Sequence, residues 1–517
     1  MSLLHSQNKI GNYRWTICAL VFFATTINYL DRNVIGQLKD TLLPILIMQA
    51  DNPVLLAWNA SIGQISWLHW NADLKSTGEL EYGRIVFAFQ AAYALGLLCF
   101  GRVIDKIGSK HGYGLSLIGW SAAAIGHALS TGPFSFGAWR AALGSTEAGN
   151  FPAAQKTVTE WFPKKERALA TGIYNSGTNV GAILAPLCVP WLASHYILGW
   201  SWQWAFVITG VLGLLWLVFW YGIYKTPSAK LADGTLSQSE YDYIHSDADE
   251  KAENSGESAG EKVSWVRLLG YRQTWAFFFG KFCTDGIWYF YLFWLPGFLS
   301  DENKRKITEA FPNGLPEGIT LKAAAAELQS FSSLFGTSEL LDKINVPGVI
   351  FWPLAVAVVY TISTFGSVFG GYLPKRFIDS GMDVNKARKT AMFIYALLPL
   401  TLLGAMKLGA VNTWLAVLII GIAAAAHQAW SANIFTTVSD MFPKKAVGSV
   451  TGIGGMAGAI AGMLMAEFVG RLLEHYKQLE SVATGYSILF VVCALAYITA
   501  WVLMHLLVPK FKKITDL

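Results

Sequence analysis

Residues 160–173 read EWFPKKERALATGI, and residues 440–453 read DMFPKKAVGSVTGI. The two stretches align without a gap and share Phe-Pro-Lys-Lys and Thr-Gly-Ile at matching places. A Pro-Lys-Lys turn alone is a common motif, but a match of this length at equivalent places is rarely a coincidence. A sequence motif that recurs at distant positions in one chain is typical of an internal duplication, so we expect the protein to consist of two similar halves.

The composition is that of a membrane protein. Of the 517 residues, 53% are hydrophobic and only 14% are charged, whereas a soluble domain has about 25% charged residues. The net charge of +5 is small and does not indicate a nucleic acid partner. The five cysteines lie in apolar runs without the spacing of a metal site, so we expect neither a bound metal nor a disulfide framework.

Twelve segments are apolar and long enough to cross a bilayer, which takes about 20 residues per helix. We therefore predict an all-α membrane protein with twelve transmembrane helices. The first segment has no signal-peptide cleavage site and is expected to stay in the membrane. The predicted spans are residues 13–35, 82–104, 112–132, 134–159, 167–192, 200–224, 273–299, 349–373, 388–408, 413–438, 446–470 and 484–508.

Basic residues in the loops predict the orientation of these spans. Loops rich in Lys and Arg alternate along the chain with short loops that have none, such as 132–134 and 409–413. By the positive-inside rule, we expect both termini to lie in the cytoplasm. We also expect the protein to lie in the inner membrane of the cell. Each FPKK motif then turns in the cytoplasm, where its proline ends one helix and its lysines anchor the turn.

The two FPKK motifs follow spans 4 and 10, six spans apart and in one orientation. This arrangement is typical of two six-helix pseudo-repeats. We predict an N-terminal bundle at 1–224, a polar cytoplasmic linker at 225–272 and a C-terminal bundle at 273–517, with outer-loop insertions at 36–80 and 300–348.

The two insertions are expected to form a cap outside the bundles. Residues 42–70 are apolar but broken by proline and polar residues, so they are not a further span. Residues 323–344 have helical periodicity. We predict that these two segments pack together, and the alternative is that they are unrelated loops.

The loop between spans 2 and 3 carries a signature. Residues 101–110 read GRVIDKIGSK and match the pattern Gly-x-x-x-Asp-Lys-x-Gly-x-Lys. In this loop and in its twelve predicted spans, the sequence resembles the major facilitator superfamily. The resemblance implies the major facilitator fold. It also implies a gating role for Gly101, Asp105, Lys106, Gly108 and Lys110.

Longer segments narrow the resemblance. They are similar to the anion:cation symporters, and most of all to bacterial hexuronate and aldonate transporters. The resemblance covers nearly all of the predicted spans, but not the outer loops at 40–80 and 300–348. The segments are NYLDRN (28–33), the stretch 139–177, KFCTDGIWYFYLFWLP (281–296) and AHQAWSANIFTTVSDMFP (426–443).

Few ionisable residues lie inside the spans, where a charge is costly and is usually kept for function. Arg140 and Glu147 lie two helical turns apart on one face of span 4, and Arg32 on span 1 reaches a depth similar to that of Arg140. Because an arginine fork binds a carboxylate through two hydrogen bonds, we predict that Arg32, helped by Arg140, binds an anionic substrate. Alternatively, Arg140 pairs with Asp31 or Glu147, or Arg32 extends to the membrane surface.

Carboxylates in the spans are candidates for carrying a proton. Asp31 and Glu147 are predicted to do so, because a buried carboxylate near a movable cation can titrate near neutral pH. The resemblance implies the same role, and a fixed salt bridge is the alternative for each. Lys281 and Asp285 lie four residues apart on span 7 and are expected to pair with each other.

Neutral side chains would complete the site by contacting the sugar. A hydrogen bond between helices is the alternative for each of them. In the register of the FPKK repeat, Glu147 matches His427, which suggests charged groups in the N-terminal half and neutral polar groups in the C-terminal half. The residues that the resemblance implies are Tyr29, Tyr93, Asn175, Thr178, Trp288, Tyr289, His427, Ser431 and Asn433.

These features and the resemblance together imply a secondary transporter that imports a sugar-acid anion, such as glucuronate, galacturonate or an aldonate, by proton symport with alternating access. We expect a monomer in the lipid bilayer that needs no cofactor beyond the co-transported ion. Sodium coupling, another organic anion, a neutral sugar, a drug, and a membrane sensor without transport stay open as alternatives. An enzyme is not expected, because the spans contain no catalytic or phosphate-binding motif.

Overall fold

The fold is described from a computed structural model of the chain. The structure describes residues 11–47, 78–194, 198–246, 264–330, 339–512 and 514. Within these ranges the chain forms helices joined by turns, without a β-strand. The side of the molecule that carries the FPKK turns is called the FPKK side below, and the opposite side is called the outer side.

The helices of the N-terminal half alternate between these two sides. The helices before the linker are α1 (Tyr13–Gln37), α2 (Lys39–Leu46), α3 (Glu79–Gly126), α4 (Pro133–Glu147), α5 (Asn150–Trp161), α6 (Lys164–Ser194) and α7 (Gln203–Ile223).

Three short helices and the C-terminal half follow. The linker contains α8 (Pro227–Ala232), α9 (Gln238–Ile244) and α10 (Trp265–Leu269). The C-terminal half contains α11 (Arg272–Ala310), α12 (Leu321–Glu327), α13 (Glu339–Ile344), α14 (Trp352–Asp379), α15 (Val384–Leu397), α16 (Ala405–Val411), α17 (Thr413–Met441), α18 (Lys444–Gln478) and α19 (Val482–Leu507).

Each predicted span corresponds to a helix or to helices in series. Seven helical segments in the described ranges are long and apolar enough to cross a membrane. The fold is consistent with twelve spans, and that number stays a prediction. The seven are Ala170–Ser194, Gln203–Ile223, Trp352–Asp379, Val384–Val411, Thr413–Val438, Ser449–Gln478 and Val482–Leu507.

The FPKK repeat has the same structure in both halves. Helix α5 ends at Trp161 and α6 begins at Lys164, while α17 ends at Met441 and α18 begins at Lys444. The phenylalanine between them is extended in both copies, with φ/ψ of −127°/136° and −111°/146°, and its side chain is buried in both. The repeated sequence motif therefore has a repeated structure, in which one helix ends, the chain turns and a second helix begins.

Packing between helices repeats as well. Helix α1 packs on α6 as α11 packs on α18, and α3 packs on α4 as α14 packs on α17. The halves meet where α1 contacts α11, α3 contacts α18 and α6 contacts α14. The site described below lies between these helices.

Three boundaries differ from the sequence prediction. Spans 2 and 3 join into one helix α3 with a kink at Gly108, whose φ/ψ of 83°/165° only glycine adopts readily. Span 4 is divided into α4 and α5 by a turn that follows Glu147. Helix α11 continues past its predicted end to Ala310, where Arg305 pairs with Glu302 and Glu309 one turn away on either side.

The linker is less detached than predicted. Arg14 of α1 donates a hydrogen bond from Nε to Glu166 Oε2 over 2.8 Å, and its NH1 lies 3.2 Å from Glu240 Oε1 of α9. Glu240 also accepts hydrogen bonds from the backbone N–H groups of Tyr13 and Arg14. The first part of the linker is thus fixed to the start of α1, because its carboxylate binds the first, otherwise unpaired N–H groups of that helix.

The predicted cap is only partly described. Ile307 at the end of α11, Ala324 and Leu328 near α12, and Ile344 in α13 form a small apolar cluster of their own. The second insertion therefore packs on an extension of α11. The predicted contact between 42–70 and 323–344 involves residues 48–70 and 331–338, which lie outside the described residues.

Candidate functional site

The centre of the candidate site is an ion pair between α1 and the end of α4. Arg32 donates a hydrogen bond from Nε to Oε2 of Glu147 over 2.9 Å. Arg32 is 2% exposed and Glu147 is fully buried. Both charges lie between helices and away from water, so each depends on the other for stabilisation.

A second arginine lies directly beside this pair. NH2 of Arg140 donates to the backbone carbonyl oxygen of Arg32 over 2.9 Å, which confirms the prediction that the two arginines reach a similar depth. Among the described residues, Arg140 makes no ion pair with Asp31 or Glu147. Its Nε and NH1 have no hydrogen-bond partner there, and neither has NH2 of Arg32. Two guanidinium groups thus present unpaired donors in one buried region.

Aromatic rings surround the arginines. The guanidinium carbon of Arg32 lies 4.8 Å from the ring centroid of Tyr29, 4.7 Å from that of Tyr93 and 5.3 Å from that of Phe89. The Arg140 guanidinium carbon lies 5.1 Å from the Phe89 centroid. Ring faces attract cations, so the structure places Tyr29 and Tyr93, both singled out in the sequence, at the charged centre.

Asp31 is the other predicted proton carrier. It is 1% exposed, and the side chains of Thr209 and Trp120 lie next to its carboxylate. Asp31 and Arg32 are consecutive residues of α1 and point about 100° apart around that helix. Of the two candidate carboxylates, only Glu147 forms a described ion pair with one of the two arginines.

The C-terminal half contributes aromatic and imidazole groups. The rings of Trp288 and His427 stack with centroids 4.9 Å apart and an angle of 10° between their planes. Nδ1 of His427 lies 2.7 Å from the hydroxyl of Tyr497, which fixes the orientation of the imidazole. Tyr289 stacks on Phe293 at 6.3 Å. Trp288, Tyr289 and His427 therefore form a neutral polar and aromatic surface in this half.

This surface meets the charged centre across the two halves. The ring centroid of Phe293 on α11 lies 5.8 Å from the guanidinium carbon of Arg140 on α4. Helix α18 passes close by at Gly462, where an added Cβ would lie 2.6 Å from Tyr289 Cδ2 and 3.4 Å from Gln90 Cδ. The candidate site is thus built from both halves.

Four further predicted residues have no described contact with Arg32, Arg140 and Glu147 or with the Trp288–His427 pair. Nδ2 of Asn433 donates to the carbonyl oxygens of Gly370 and Ala429, which ties α17 to α14. The hydroxyl of Thr178 donates to the carbonyl oxygen of Asn175 within α6. The Asn175 side chain is exposed and Ser431 is half-buried. For Asn433, these bonds favour the packing role that the sequence left open.

The predicted gating loop is bound within the N-terminal half. The Ser109 hydroxyl donates to Glu160 over 2.7 Å, and Lys110 Nζ donates to the carbonyl oxygen of Tyr221 over 3.3 Å. Lys106 is exposed, and Gly108 forms the kink in α3. Gly101 lies within α3, and the side chain of Asp105 lies outside the part of the structure that is described.

The sequence analysis missed Gln90 on α3. Gln90 is fully buried, and its amide nitrogen and oxygen have no hydrogen-bond partner in the described ranges. A lone amide side chain in an otherwise apolar span was the signal that would have identified it, because buried polar groups are normally paired.

A cluster of ion pairs on the outer side was also missed. Lys477 Nζ on α18 lies 2.8 Å from Glu79 Oε1 on α3, and Lys304 Nζ on α11 lies 2.5 Å from Asp40 Oδ2 on α2. Lys39 pairs with Glu79 at 2.9 Å. Two of these pairs join the N-terminal half to the C-terminal half. We call these five residues the outer ion cluster.

The outer ion cluster closes the outer side. Burial alone would raise the pKa of the Asp40 carboxyl, but Lys304 and Lys477 more than offset this effect and hold the pKa of Asp40 below its usual range. Below the cluster, the Tyr82 hydroxyl on α3 donates to the carbonyl oxygen of Phe293 over 2.8 Å. The halves are therefore joined on the outer side by ion pairs and by a hydrogen bond to the backbone.

Comparisons with known proteins agree with this architecture. Residues 21–466 match the family model of the Major Facilitator Superfamily. The chain is 28% identical over 490 residues to the hexuronate transporter of Escherichia coli strain K12, covering 94% of this chain and 92% of that protein. It is 32% identical over 291 residues to the galacturonate transporter of Dickeya chrysanthemi, covering 56% of this chain and 73% of that protein.

A solved structure supports the fold. A bacterial homologue of the human lysosomal transporter Spinster superposes with a TM-score of 0.67 at 16% identity, over 98% of this chain and all of that one. The match of the family model extends over both halves and includes the arginines and Glu147. This chain, a multi-pass membrane protein, belongs to the Major Facilitator Superfamily.

Proposed function

We propose that this protein is a secondary transporter that imports a sugar-acid anion, such as a hexuronate or an aldonate, together with a proton. The names of the relatives, a hexuronate and a galacturonate transporter, support the substrate class. No enzymatic activity is needed for this function, and no cofactor takes part in it.

One observation carries the proposal. The Arg32–Glu147 ion pair is buried between helices, and a second arginine with unpaired N–H donors lies beside it. A guanidinium stays charged at any physiological pH and presents a planar fork to a carboxylate. Two such groups facing one buried region are suited to binding one carboxylate.

Charge balance links the anion to the proton. Arg32 and Arg140 carry two positive charges, and Asp31 and Glu147 carry two negative charges when ionised. A substrate anion would add an uncompensated negative charge, which is costly in a buried site. Protonation of Glu147 neutralises that carboxylate and frees Arg32 for the substrate, so one proton and one anion enter together.

The C-terminal surface suits the rest of the substrate. A sugar acid has a carboxylate at one end, hydroxyl groups along its length and an apolar ring face. Trp288 and Tyr289 offer ring faces, and His427 offers a ring nitrogen that its contact with Tyr497 orients. This division between the halves favours a carboxylated sugar over a neutral sugar, which would leave the arginines unused.

Alternating access follows from the two-half fold. The outer ion cluster closes one side, and movement of one half against the other would break its inter-half pairs and open that side. The positive-inside rule places both termini in the cytoplasm of the cell. On this topology, the outer side faces the exterior from which the anion is taken up.

Uptake into proteoliposomes that contain the purified protein tests the proposal. An imposed pH gradient, acidic outside, is expected to drive accumulation of labelled galacturonate or glucuronate, and an unlabelled uronate or aldonate is expected to compete while glucose does not. Uptake driven by a sodium gradient without a pH gradient would contradict proton coupling. Equal competition by glucose would contradict the substrate class, and no uptake of any solute would contradict transport.

A further inference from the structure

A pocket far from the transport site lies at the FPKK side of the C-terminal half. It has a volume of about 490 Å³ and lies between the beginning of α15 and the end of α19. Ile514, just after this region, donates its backbone N–H to the carbonyl oxygen of Met441 in the second FPKK turn, so the pocket lies level with that turn. We call it the headgroup pocket.

Basic side chains line the headgroup pocket. Lys386 and Lys389 come from the first turns of α15, and Lys510 comes from the segment that follows α19. Among the described residues that line the pocket, Asp383 is the only carboxylate. With His505 uncharged, these described lining residues carry a net charge of +2, so the pocket favours an anion.

The three lysines are not neutralised by carboxylates within the described residues. Lys389 instead donates from Nζ to the backbone carbonyl oxygens of Val508 and Pro509. The neighbouring Arg388, which does not line the pocket, has its charge compensated by Asp440 at 2.7 Å. In the described structure, the lysines that line the pocket thus lack a carboxylate partner, whereas Arg388 beside the pocket has one.

Aromatic rings form the adjacent wall. Trp501 packs against Phe393 with ring centroids 4.7 Å apart and against His505 at 4.9 Å. Trp501 Nε1 donates to the carbonyl oxygen of Lys389 over 3.2 Å, which fixes the indole beside the basic groups. Tryptophan next to lysine is typical of the level at which a protein crosses from the lipid tails to the headgroups.

Apolar side chains on the same helix extend away from the pocket. Leu495, Val502 and Leu506 of α19 are 45%, 43% and 68% exposed, as expected for a helix face that contacts lipid tails. A ligand with an anionic head and an apolar tail would therefore bind the lysines at one end and this face at the other. A free phosphate ion would use only the first of these surfaces.

From this geometry, we infer that the headgroup pocket binds the phosphate of an anionic phospholipid, with the acyl chains along Phe393, Trp501 and the exposed face of α19. Basic pockets between transmembrane helices are suited to such headgroups. The site lies in the C-terminal half, is separate from Arg32 and Glu147, and does not depend on the transported substrate.

The test compares lipid retention by the purified full-length protein. The variant Lys386→Gln/Lys510→Gln removes two exposed lysines of the pocket that hold no ion pair in the described structure. The matched control, Lys375→Gln/Arg376→Gln, removes two exposed charges at the same side of the molecule but outside the pocket. Each protein is taken from vesicles of equal parts phosphatidylglycerol and phosphatidylcholine, and retained lipid is counted by native mass spectrometry.

The wild type and the control are expected to retain phosphatidylglycerol in preference to phosphatidylcholine. The pocket variant is expected to lose at least about tenfold in phosphatidylglycerol retention, since each lysine near a lipid surface contributes substantially to anion binding. Equal retention by the pocket variant and the wild type, or equal retention of the two lipids by the wild type, would overturn the inference.

A thermal-stability measurement separates the two sources of phosphate. Phosphatidylglycerol is expected to raise the Tm of the detergent-solubilised wild type and not that of the pocket variant. Inorganic phosphate at matched ionic strength is expected to leave both unchanged. The same rise in Tm with inorganic phosphate alone would assign the pocket to the free ion and overturn the lipid assignment.

Discussion

Glu147 is buried next to Arg32 and close to Arg140. It accepts a hydrogen bond from Arg32, which in turn offers its backbone carbonyl oxygen to Arg140. Removal of the charge at Glu147 would leave Arg32 without its carboxylate partner in a buried place. A substrate carboxylate can then take that position, which is the chemical basis of the proposed coupling.

The variant Glu147→Gln keeps the size and hydrogen-bonding capacity of the side chain but fixes it in an uncharged form. We expect proton-driven accumulation to fall at least about tenfold, while exchange of labelled for unlabelled uronate continues, because exchange needs no proton cycle. Uptake and counterflow in proteoliposomes measure the two activities. The control is Glu309→Gln, at a side chain that is 61% exposed on the outer extension of α11, and it is expected to behave as the wild type. Proton-driven uptake by Glu147→Gln at the wild-type rate would contradict the mechanism.

Arg32→Lys tests whether the fork of the guanidinium matters. Lysine keeps the positive charge but cannot form two parallel hydrogen bonds with a carboxylate. We expect the apparent KM for the uronate to rise at least about tenfold, with protein abundance in the membrane unchanged. A variant whose KM equals that of the wild type would show that Arg32 acts only as a point charge.

Helical rise was sufficient to predict the depths of these residues, but not their contacts. The sequence placed Arg32 and Arg140 at one level because residues along a helix advance by a fixed distance. It left Asp31 and Glu147 as equal partners, because partner choice depends on how helices rotate and cross. Gln90 was missed for the same reason, since its position beside Gly462 exists only once α3 and α18 are packed together.

At the scale of elements, the contact between α3 and α18 controls how closely the halves approach. An added Cβ at Gly83 would lie 2.6 Å from the carbonyl oxygen of Ala466 and 3.1 Å from Cα of Gly470. These are backbone atoms of the other half and cannot rotate out of the way. Only a residue without a side chain permits this approach.

Gly83→Val is therefore expected to prevent closure of the outer side. The measurement is the distance between spin labels at Thr131 and Lys322, two exposed outer positions in different halves, in a variant without native cysteines. We expect a distribution shifted to longer distances than in the parent protein. Gly137→Val, where an added Cβ meets no atom within 4 Å, controls for the change in helix propensity. An unshifted distance distribution in Gly83→Val would contradict the proposed role of the contact between α3 and α18.

The outer ion cluster predicts a dependence of stability on pH. The pKa of Asp40 is lower in the folded protein than the usual value of about 3.9, so its contribution to stability is present in full above about pH 4. It is lost as the pH falls from there through the lowered pKa. We expect the Tm difference between the wild type and Asp40→Asn to be constant between about pH 5 and 7 and to shrink below about pH 4. A Tm difference that does not shrink in acid would contradict the assignment of Asp40 to an ion pair.

Elements were predicted well where periodicity and length determine them. The FPKK turns and the spans followed from proline, lysine and apolar runs. The division of span 4 after Glu147 and the extension of α11 did not follow, because tertiary contacts and local ion pairs determine them. The attachment of the linker to Arg14 was also not predictable, because a polar, glycine-rich stretch gives no sign of a partner that lies far away in the sequence.

At the scale of the whole molecule, the repeat explains the architecture, and we propose that the differences between its copies explain the chemistry. The helices on either side of each FPKK turn pack in the same way in both halves. Glu147 in the first copy corresponds to His427 in the second, so the charged centre lies in one half and the neutral aromatic surface in the other. A substrate that contacts both would stabilise the approach of the two halves.

The most direct test of the central claim is a measurement of proton entry. Proteoliposomes containing the protein and a trapped pH-sensitive dye receive galacturonate from outside, without any imposed ion gradient. The account predicts acidification of the interior upon addition of the uronate, the same without sodium, and none with Glu147→Gln. Entry of labelled galacturonate into wild-type vesicles without acidification would contradict the claim that the Arg32–Glu147 pair couples the anion to a proton.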